Sequence, residues 1–414
     1  MRLIWAKYKY KLLIFLSVLG PSVITTMAGN DGGGVITYSL AGAKLGYSAL
    51  FILPFLILLY AISQEMGSRL AIVTGKGLGD LVREGYGIKI ASFVFILILL
   101  ANFGTLLTNI AALKISGEML NLPVIPLMIG AIVMSFLLLT KSSYEKSQKI
   151  FLTGMIFYFA YVFSAVKGNP DWVESVKSLV IPKLNFFSKE SFLINMAVLG
   201  TTITPWGQFF VQSYMKDKKV LIENLGFAKI ESYFGAFIAI FFTFFIMLAT
   251  AATLYVHNVP LESGEQAAQA IRPFAGEFAS ILFGIGLLNA AIIGMVIVSL
   301  SSAYAFTEFF GFSGSLDEPF NKSKTFYRIF LINNIIAALL VITPFFPLFK
   351  IVLYTQSLNA ILLPVFFYYI LKIINNKELM GVNTNTKFYN ILAYGAAILI
   401  VVASIITVLV GILS

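Results

Sequence analysis

Stretches of roughly 17–25 apolar residues, the length that crosses about 30 Å of hydrocarbon as helix, recur along the whole chain and leave only short polar breaks between them. Eleven can be read: two interrupted ones at about 11–42 and 192–215, and nine more at 47–73, 88–113, 122–140, 150–165, 227–256, 278–310, 326–342, 351–374 and 389–413. A backbone in lipid must satisfy its own polar groups, and a helix does so within one segment. The pattern therefore predicts an all-α membrane protein of eleven transmembrane helices. Several stretches exceed 25 residues, which calls for tilt or for extension beyond the bilayer. Composition points the same way: 59% of the 414 residues are apolar and 12% charged, against about 45–50% and about 25% in soluble domains. A soluble enzyme is excluded, and the lack of any Cys excludes disulfides and thiolate metal sites. The basic start and Thr26-Met27-Ala28 imitate a secretory signal with its cleavage site. Apolar stretches continue through the rest of the chain, however, so the first is read as a span.

Lys and Arg number 29 against 19 Asp and Glu, a net charge of +10. In a soluble domain this would suggest nucleic acid; here position matters more than the sum. Of the 29, 21 fall in alternate segments, at 2–11, 69–89, 141–149, 216–229, 322–328 and 372–387, and the other 8 are Lys44, Lys114, Lys167, Lys177, Lys183, Lys189, Arg272 and Lys350. The positive-inside rule then predicts a multi-pass plasma-membrane protein with a cytoplasmic N-terminus and an extracellular C-terminus. Its basic residues face anionic headgroups, and no nucleic-acid partner is expected. The 257–277 loop carries Glu262, Glu265 and Glu277 against Arg272 and reads as solvated.

Two stretches are broken internally. The first holds Ala28-Gly29-Asn30-Asp31-Gly32-Gly33-Gly34, and the sixth holds Gly200-Thr201-Thr202-Ile203-Thr204-Pro205-Trp206-Gly207. Each Gly costs a helix about 1 kcal/mol relative to Ala, and Pro205 removes a backbone donor. Unwound backbone at membrane depth is tolerated only where protein or water covers it, so breaks point to cavities. Their matching places in two five-span halves are the mark of an inverted-repeat transporter. The halves are expected at 11–167 and 191–374, with an additional helix at 387–414, all in one domain.

Asp31 is the pivotal residue, because a carboxylate at mid-membrane costs roughly 2.5–3.5 kcal/mol even on the lenient scale. Around it the sequence offers oxygens: carbonyls near Ala28 and Thr201, the Thr204 hydroxyl, and the amides of Gln356 and Asn359. Such a set suits a hard divalent cation, Mg²⁺ in particular. His257, the one histidine, is read as an interface residue and Glu231 as reaching the interface. Glu308 is read either as solvated or as lining a vestibule. Gly75-Lys76-Gly77-Leu78-Gly79 lacks the strand and nucleotide fold that a phosphate loop requires.

Taken together, these motifs resemble the Nramp family of divalent-metal transporters over nearly the whole chain. The resemblance rests on Gly20-Pro21, Asp31-Gly32-Gly33-Gly34, the run Leu40 to Tyr47, Thr74-Gly75-Lys76 with Asp80 and Arg83-Glu84, Gly200 to Pro205, and Gln356 eight residues before Pro364. It implies the LeuT/APC-type 5+5 inverted repeat with discontinuous helices 1 and 6. It also implies a metal site of Asp31, Gly34, Thr204, Gln356, Ala28 and Thr201, with Asn30, Trp206 and Asn359 around it. The departures matter as well. Gly34 stands at the family's Asn ligand, Thr204 at its Met and Trp206 at its His. Asn109 and Ala112 replace the span-three acids associated with proton movement, Val211 replaces the second His, and the paired arginines of span nine reduce to Arg328. Loss of the thioether removes a preference for softer metals. The pattern is similar to the Nramp-related magnesium transporters. It implies uptake of Mg²⁺, with Mn²⁺ also accepted, by alternating access without proton coupling. The cation is cargo, so no cofactor is expected and no enzymatic activity. A proton-coupled Mn²⁺/Fe²⁺ symporter and an organic-solute carrier on the same fold are the alternatives; a monomer would suffice.

Overall fold

The structure, a computed structural model, describes residues 15, 17–183, 188–259, 261, 276–343 and 348–412. Glu262, Glu265 and Arg272 lie outside them, as does the expected beginning of the first span. Among the described residues the regular elements are all helical. Nine helical runs among the described residues are long and apolar enough to cross a membrane.

The two interrupted stretches appear as pairs of short helices. The first pair is α1 (Pro21–Ala28) and α2 (Gly32–Leu45). Pro21 occupies the first turn of α1, where its missing N–H is no loss. A 3₁₀ turn, Gly46–Ile52, leads into α3 (Leu53–Thr74). Next comes α4 (Leu78–Met119), in which Gly87, at φ 80° and ψ 169°, breaks helical geometry, so a short helix precedes the kink and the long span begins at the expected 88. An L side chain would be strained at that φ. α5 (Val124–Lys141) is followed by α6 (Tyr144–Gly154), a 3₁₀ turn over Met155–Tyr158, and α7 (Phe159–Lys167). A short α8 (Trp172–Ser178), capped by Asp171, was not expected.

The second interrupted pair is α9 (Lys189–Thr202) and α10 (Pro205–Asp217). The chain continues through α11 (Leu225–Thr250), α12 (Glu277–Phe310), α13 (Lys324–Ile342), α14 (Leu348–Ile374), α15 (Lys377–Met380) and α16 (Lys387–Ile412). The halves of each broken pair have 8, 14, 14 and 13 residues, too few to cross alone when about 20 are needed.

Lipid is as apolar as Leu, so packing depends on close approach and polar contacts rather than on burial from water. The long helices α4 and α12 lie side by side, with small residues Ala111, Ala112, Ala290 and Ala291 buried between helices. A Cβ at Gly200 would run into the Gln356 carbonyl, so glycine alone lets α9 approach α14.

One end of the bundle gathers the segments around residues 19, 69–83, 148, 216–218, 308 and 383. Lys218 Nζ donates to the Leu19 carbonyl at 2.6 Å and Arg69 Nη1 to the Asn383 carbonyl at 2.7 Å. Because the alternate lysine-rich segments meet here, it is called the basic end.

Candidate functional site

The first break is built by Asp31. Its backbone leaves helical geometry (ψ 179°) and its side chain caps α2, Oδ1 accepting from the Gly34 N–H at 2.7 Å. Gly32 N–H, which would bond the Ala28 carbonyl in a continuous helix, donates instead to Asn109 Oδ1 at 2.9 Å. The Ala28 carbonyl thereby loses the partner that helix would supply. Asn109 completes a two-point clamp, its Nδ2 donating to Asp31 Oδ2 at 2.7 Å. Hydrogen bonds to a charged group are worth about 1.5–3 kcal/mol each, which offsets much of the cost of holding this carboxylate where it is only 2% exposed.

The second break follows from Pro205. Lacking an N–H, it cannot bond the Thr201 carbonyl, and Ile203 turns to φ −110°, ψ 89° before Thr204 caps α10 by accepting from the Gly207 N–H at 3.0 Å. The two breaks meet at Gly34. A Cβ there would lie 3.3 Å from Asp31 Oδ1, 3.3 Å from Thr201 Oγ1 and 2.6 Å from the Gly29 carbonyl. Gly34 thus adds no side-chain ligand, and only glycine fits there, because three oxygens converge closely on the space beside it. The Thr201 hydroxyl has no hydrogen-bond partner. Gln356 approaches from α14: a Cβ on Gly33 would stand 2.7 Å from its Nε2, also unpartnered. Its Oε1 accepts from Asn359 Nδ2, which donates as well to Thr105 Oγ1, both at 2.9 Å.

The remaining residues expected around the site are buried but differently engaged. Asn30 turns toward α11, donating to the Ala239 carbonyl and accepting from Thr243, both at 2.8 Å, while Tyr158 OH donates to the Asn30 carbonyl at 3.0 Å. Trp206 is fully buried with its indole N–H unpartnered, and its carbonyl accepts from Ser301. Sequence reasoning assigned Asn109 no place in the site, although Thr105, Thr108 and Asn109 form a polar stripe at helical spacing in an apolar span.

Two glutamates are more engaged than expected. Glu231 does not reach the interface. It is buried, and its Oε1 accepts from the N–H groups of Gly20, Ser22 and Val23 at 2.7–3.2 Å, capping α1. The positive end of a helix favours such a carboxylate. Glu308 is buried too. Its carboxylate accepts from Ser213 Oγ at 2.7 Å and from Gly79 N–H at 3.2 Å, and Lys216 reaches both Asp80 at 3.0 Å and Glu308 at 3.9 Å. This latch joins α10 to α4 and α12 at the basic end. His257 Nδ1 lies 2.7 Å from the Thr253 carbonyl, away from both breaks. Among the described residues no group of three or more His, Cys, Asp or Glu is arranged to hold a metal, so a cation at the breaks would meet one carboxylate and neutral oxygens.

The family model for natural resistance-associated macrophage protein-like chains matches residues 22–410. The chain belongs to the Nramp family. A divalent metal cation transporter, MntH, of Bacillus subtilis is 24% identical over 408 residues, covering 94% of this chain and 91% of that relative. Among solved structures, a manganese transporter of Eremococcus coleocola in complex with an aromatic bis-isothiourea compound superposes with a TM-score of 0.76 at 17% identity, covering 96% and 87% of the two chains. MhsT in complex with L-phenylalanine superposes at 0.64 with 14% identity, covering 94% and 98%. At these identities the structures establish the fold alone, the LeuT fold that this Nramp chain shares with them.

Proposed function

We propose that the chain carries divalent metal cations across the membrane by alternating access, Mg²⁺ in preference with Mn²⁺ also accepted, down their electrochemical gradient and without proton coupling. The observation that carries this reading is the convergence of Asp31 Oδ1, Thr201 Oγ1 and the Gly29 carbonyl on the space beside Gly34. A lone carboxylate among neutral oxygens suits Mg²⁺, a hard cation that takes oxygen ligands and keeps several of its waters when bound. The carbonyls of Ala28 and Thr201, the Thr204 hydroxyl and the Gln356 amide supply the remaining oxygens or hold coordinated water, with Asn30, Trp206 and Asn359 packed around them. The names of the relatives support divalent metal as the class of cargo, manganese among them.

The rest of the reading follows. Counting each broken pair as one span, and keeping only α3 of the run Gly32–Thr74 once α2 belongs to the first pair, gives eleven helices in two five-helix halves, 11–167 and 191–374, and a final helix at 387–414. The basic end is cytoplasmic and the chain acts as a monomer in the plasma membrane. Isothermal titration of purified protein with Mg²⁺ and Mn²⁺, together with flux into proteoliposomes while internal pH is followed, tests the proposal. Both ions should bind and enter, and Asp31→Ala should abolish both. Undiminished flux in Asp31→Ala would overturn the site, Mg²⁺-driven acidification the uncoupled mechanism, and Mn²⁺ uptake insensitive to excess Mg²⁺ the ion preference.

A further inference from the structure

Away from the breaks, a groove of 820 Å³ runs along the outer face of the bundle between α5, α6 and α12, lined among others by Gly130, Met134 and Leu138 of α5, Ile150 and Gly154 of α6, and Ile293 of α12. We propose that it binds one anionic phospholipid, with an acyl chain lying along α5 and the headgroup phosphate held by Lys141 and Lys146. The lining extends from Pro126 to Ser142, roughly 24 Å of helix at 1.5 Å per residue, which is most of the thickness of a hydrocarbon core. Its walls offer almost nothing to water, and a flexible hydrocarbon chain follows such a trough where a rigid partner would not. A Cβ on Gly130 meets no atom within 4 Å, so the protein itself leaves this part of the groove unfilled.

Charge decides which lipid. Ser142 and Ile150 line one end of the groove; Lys141 follows the lining residues Leu137 and Leu138 by one helical turn on α5, and Lys146 stands one turn before Ile150 on α6. Both lysines are exposed. Glu145, the one acid in this segment, lines a neighbouring cavity together with Lys149, so Lys141 and Lys146 give the mouth of the groove a net positive charge. Each basic residue at an anionic surface strengthens binding about fivefold, so a phosphodiester headgroup with a further neutral substituent is favoured over a zwitterionic one.

The groove also touches the machinery of the breaks. Asn289, on its wall, donates to the Gly154 carbonyl at 3.0 Å. Gly154 ends α6 just before the 3₁₀ turn Met155–Tyr158, and Tyr158 OH holds the Asn30 carbonyl next to Asp31. A chain resting on Gly154 therefore bears on the turn that braces the first break. This consequence for flux rests on the carrier reading; the lipid site does not.

Native mass spectrometry of the full chain with phosphatidylglycerol and phosphatidylcholine tests the site. The wild type should retain one phosphatidylglycerol per chain in preference to phosphatidylcholine. The double variant K141Q/K146Q should lose that preference, by roughly thirtyfold in apparent affinity. Gly130→Trp, which keeps the lysines but fills the trough, should lose the adduct of either lipid. Equal retention of both lipids by the wild type, an adduct unchanged in both variants, or a dimer that closes the groove without lipid would each overturn the proposal. The adduct is read without transport, so its result stands whether or not the chain carries metal. In vesicles, Mg²⁺ flux of the wild type should be about threefold higher with phosphatidylglycerol than with phosphatidylcholine alone, and equal flux alongside a selective adduct would overturn the coupling.

Discussion

Asn109 gives Asp31 Oδ2 a hydrogen bond at 2.7 Å from a donor that does not titrate, since a side-chain amide keeps its state across the physiological range. Replacing it with a carboxyl group would set two acids at hydrogen-bond distance. Such a pair cannot lose both protons easily, and the shared proton belongs to the pair. In Asn109→Asp, a cation must therefore displace that proton, so metal binding should be weak in mildly acidic buffer and strengthen steeply as pH rises. The wild type should show a much shallower dependence, measured by isothermal titration across the same buffers; equal slopes would overturn the clamp's role. Asn109→Ala, which frees Asp31 Oδ2 and Gly32 N–H together, should weaken binding about 10–100-fold, as removal of an outer partner does at other metal sites. Asp31 was legible in the sequence because a carboxylate among glycines in an apolar stretch is too costly to keep without a function. Thr201 was legible because Pro205 withholds the donor its carbonyl needs. The clamp was not, because Asn109 and Asp31 lie 78 positions apart and spacing within one helix cannot say which side chain from another helix will face it.

At the scale of helices, the two breaks and the long spans follow from local chemistry, glycine and proline against apolar runs of sufficient length. What local chemistry could not reveal is how the ends are fastened. Glu231 and Glu308 sit near span ends, where a solvated or interfacial carboxylate is the ordinary expectation. Instead, one caps α1 and the other joins α10 to α4 and α12. Both fastenings depend on backbone N–H groups from distant segments, and sequence patterns carry no record of those. The latch has a consequence for access. Lys216 pairs Asp80 at 3.0 Å and Glu308 at 3.9 Å, holding α10 against its neighbours at the basic end. With Lys216 a third exposed, the network is worth about 1 kcal/mol. Lys216→Gln should then raise the open population roughly fivefold. The chain contains no native Cys, so Ser301→Cys, beside the Trp206 carbonyl, can report directly. A thiol reagent applied at the basic end should react faster in the Lys216→Gln background, and an unchanged rate would show that the latch does not gate this path.

For the whole molecule, an all-helical membrane fold was readable from the apolar runs alone, and the long helices stand where those runs are. The relation between the two broken pairs was readable only as a match of position; that they touch at Gly34 is a fact of packing. Under the proposed uncoupled mechanism, the membrane potential is the main driving force. Moving one charge through 100 mV is worth about 2.3 kcal/mol, so a divalent ion gains about 4.6 kcal/mol. That corresponds to an accumulation ratio on the order of a thousandfold at equilibrium. Proteoliposomes with an imposed potassium diffusion potential, negative inside, should accumulate Mg²⁺ steeply with the size of that potential while internal pH stays level. Dissipating the potential should leave only the chemical gradient and bring the internal Mg²⁺ to the external value. An imposed pH gradient without a potential should drive nothing. Accumulation that follows the pH gradient instead would mean that a proton enters with the metal, and the mechanism would then need an acid other than Asp31 to carry it.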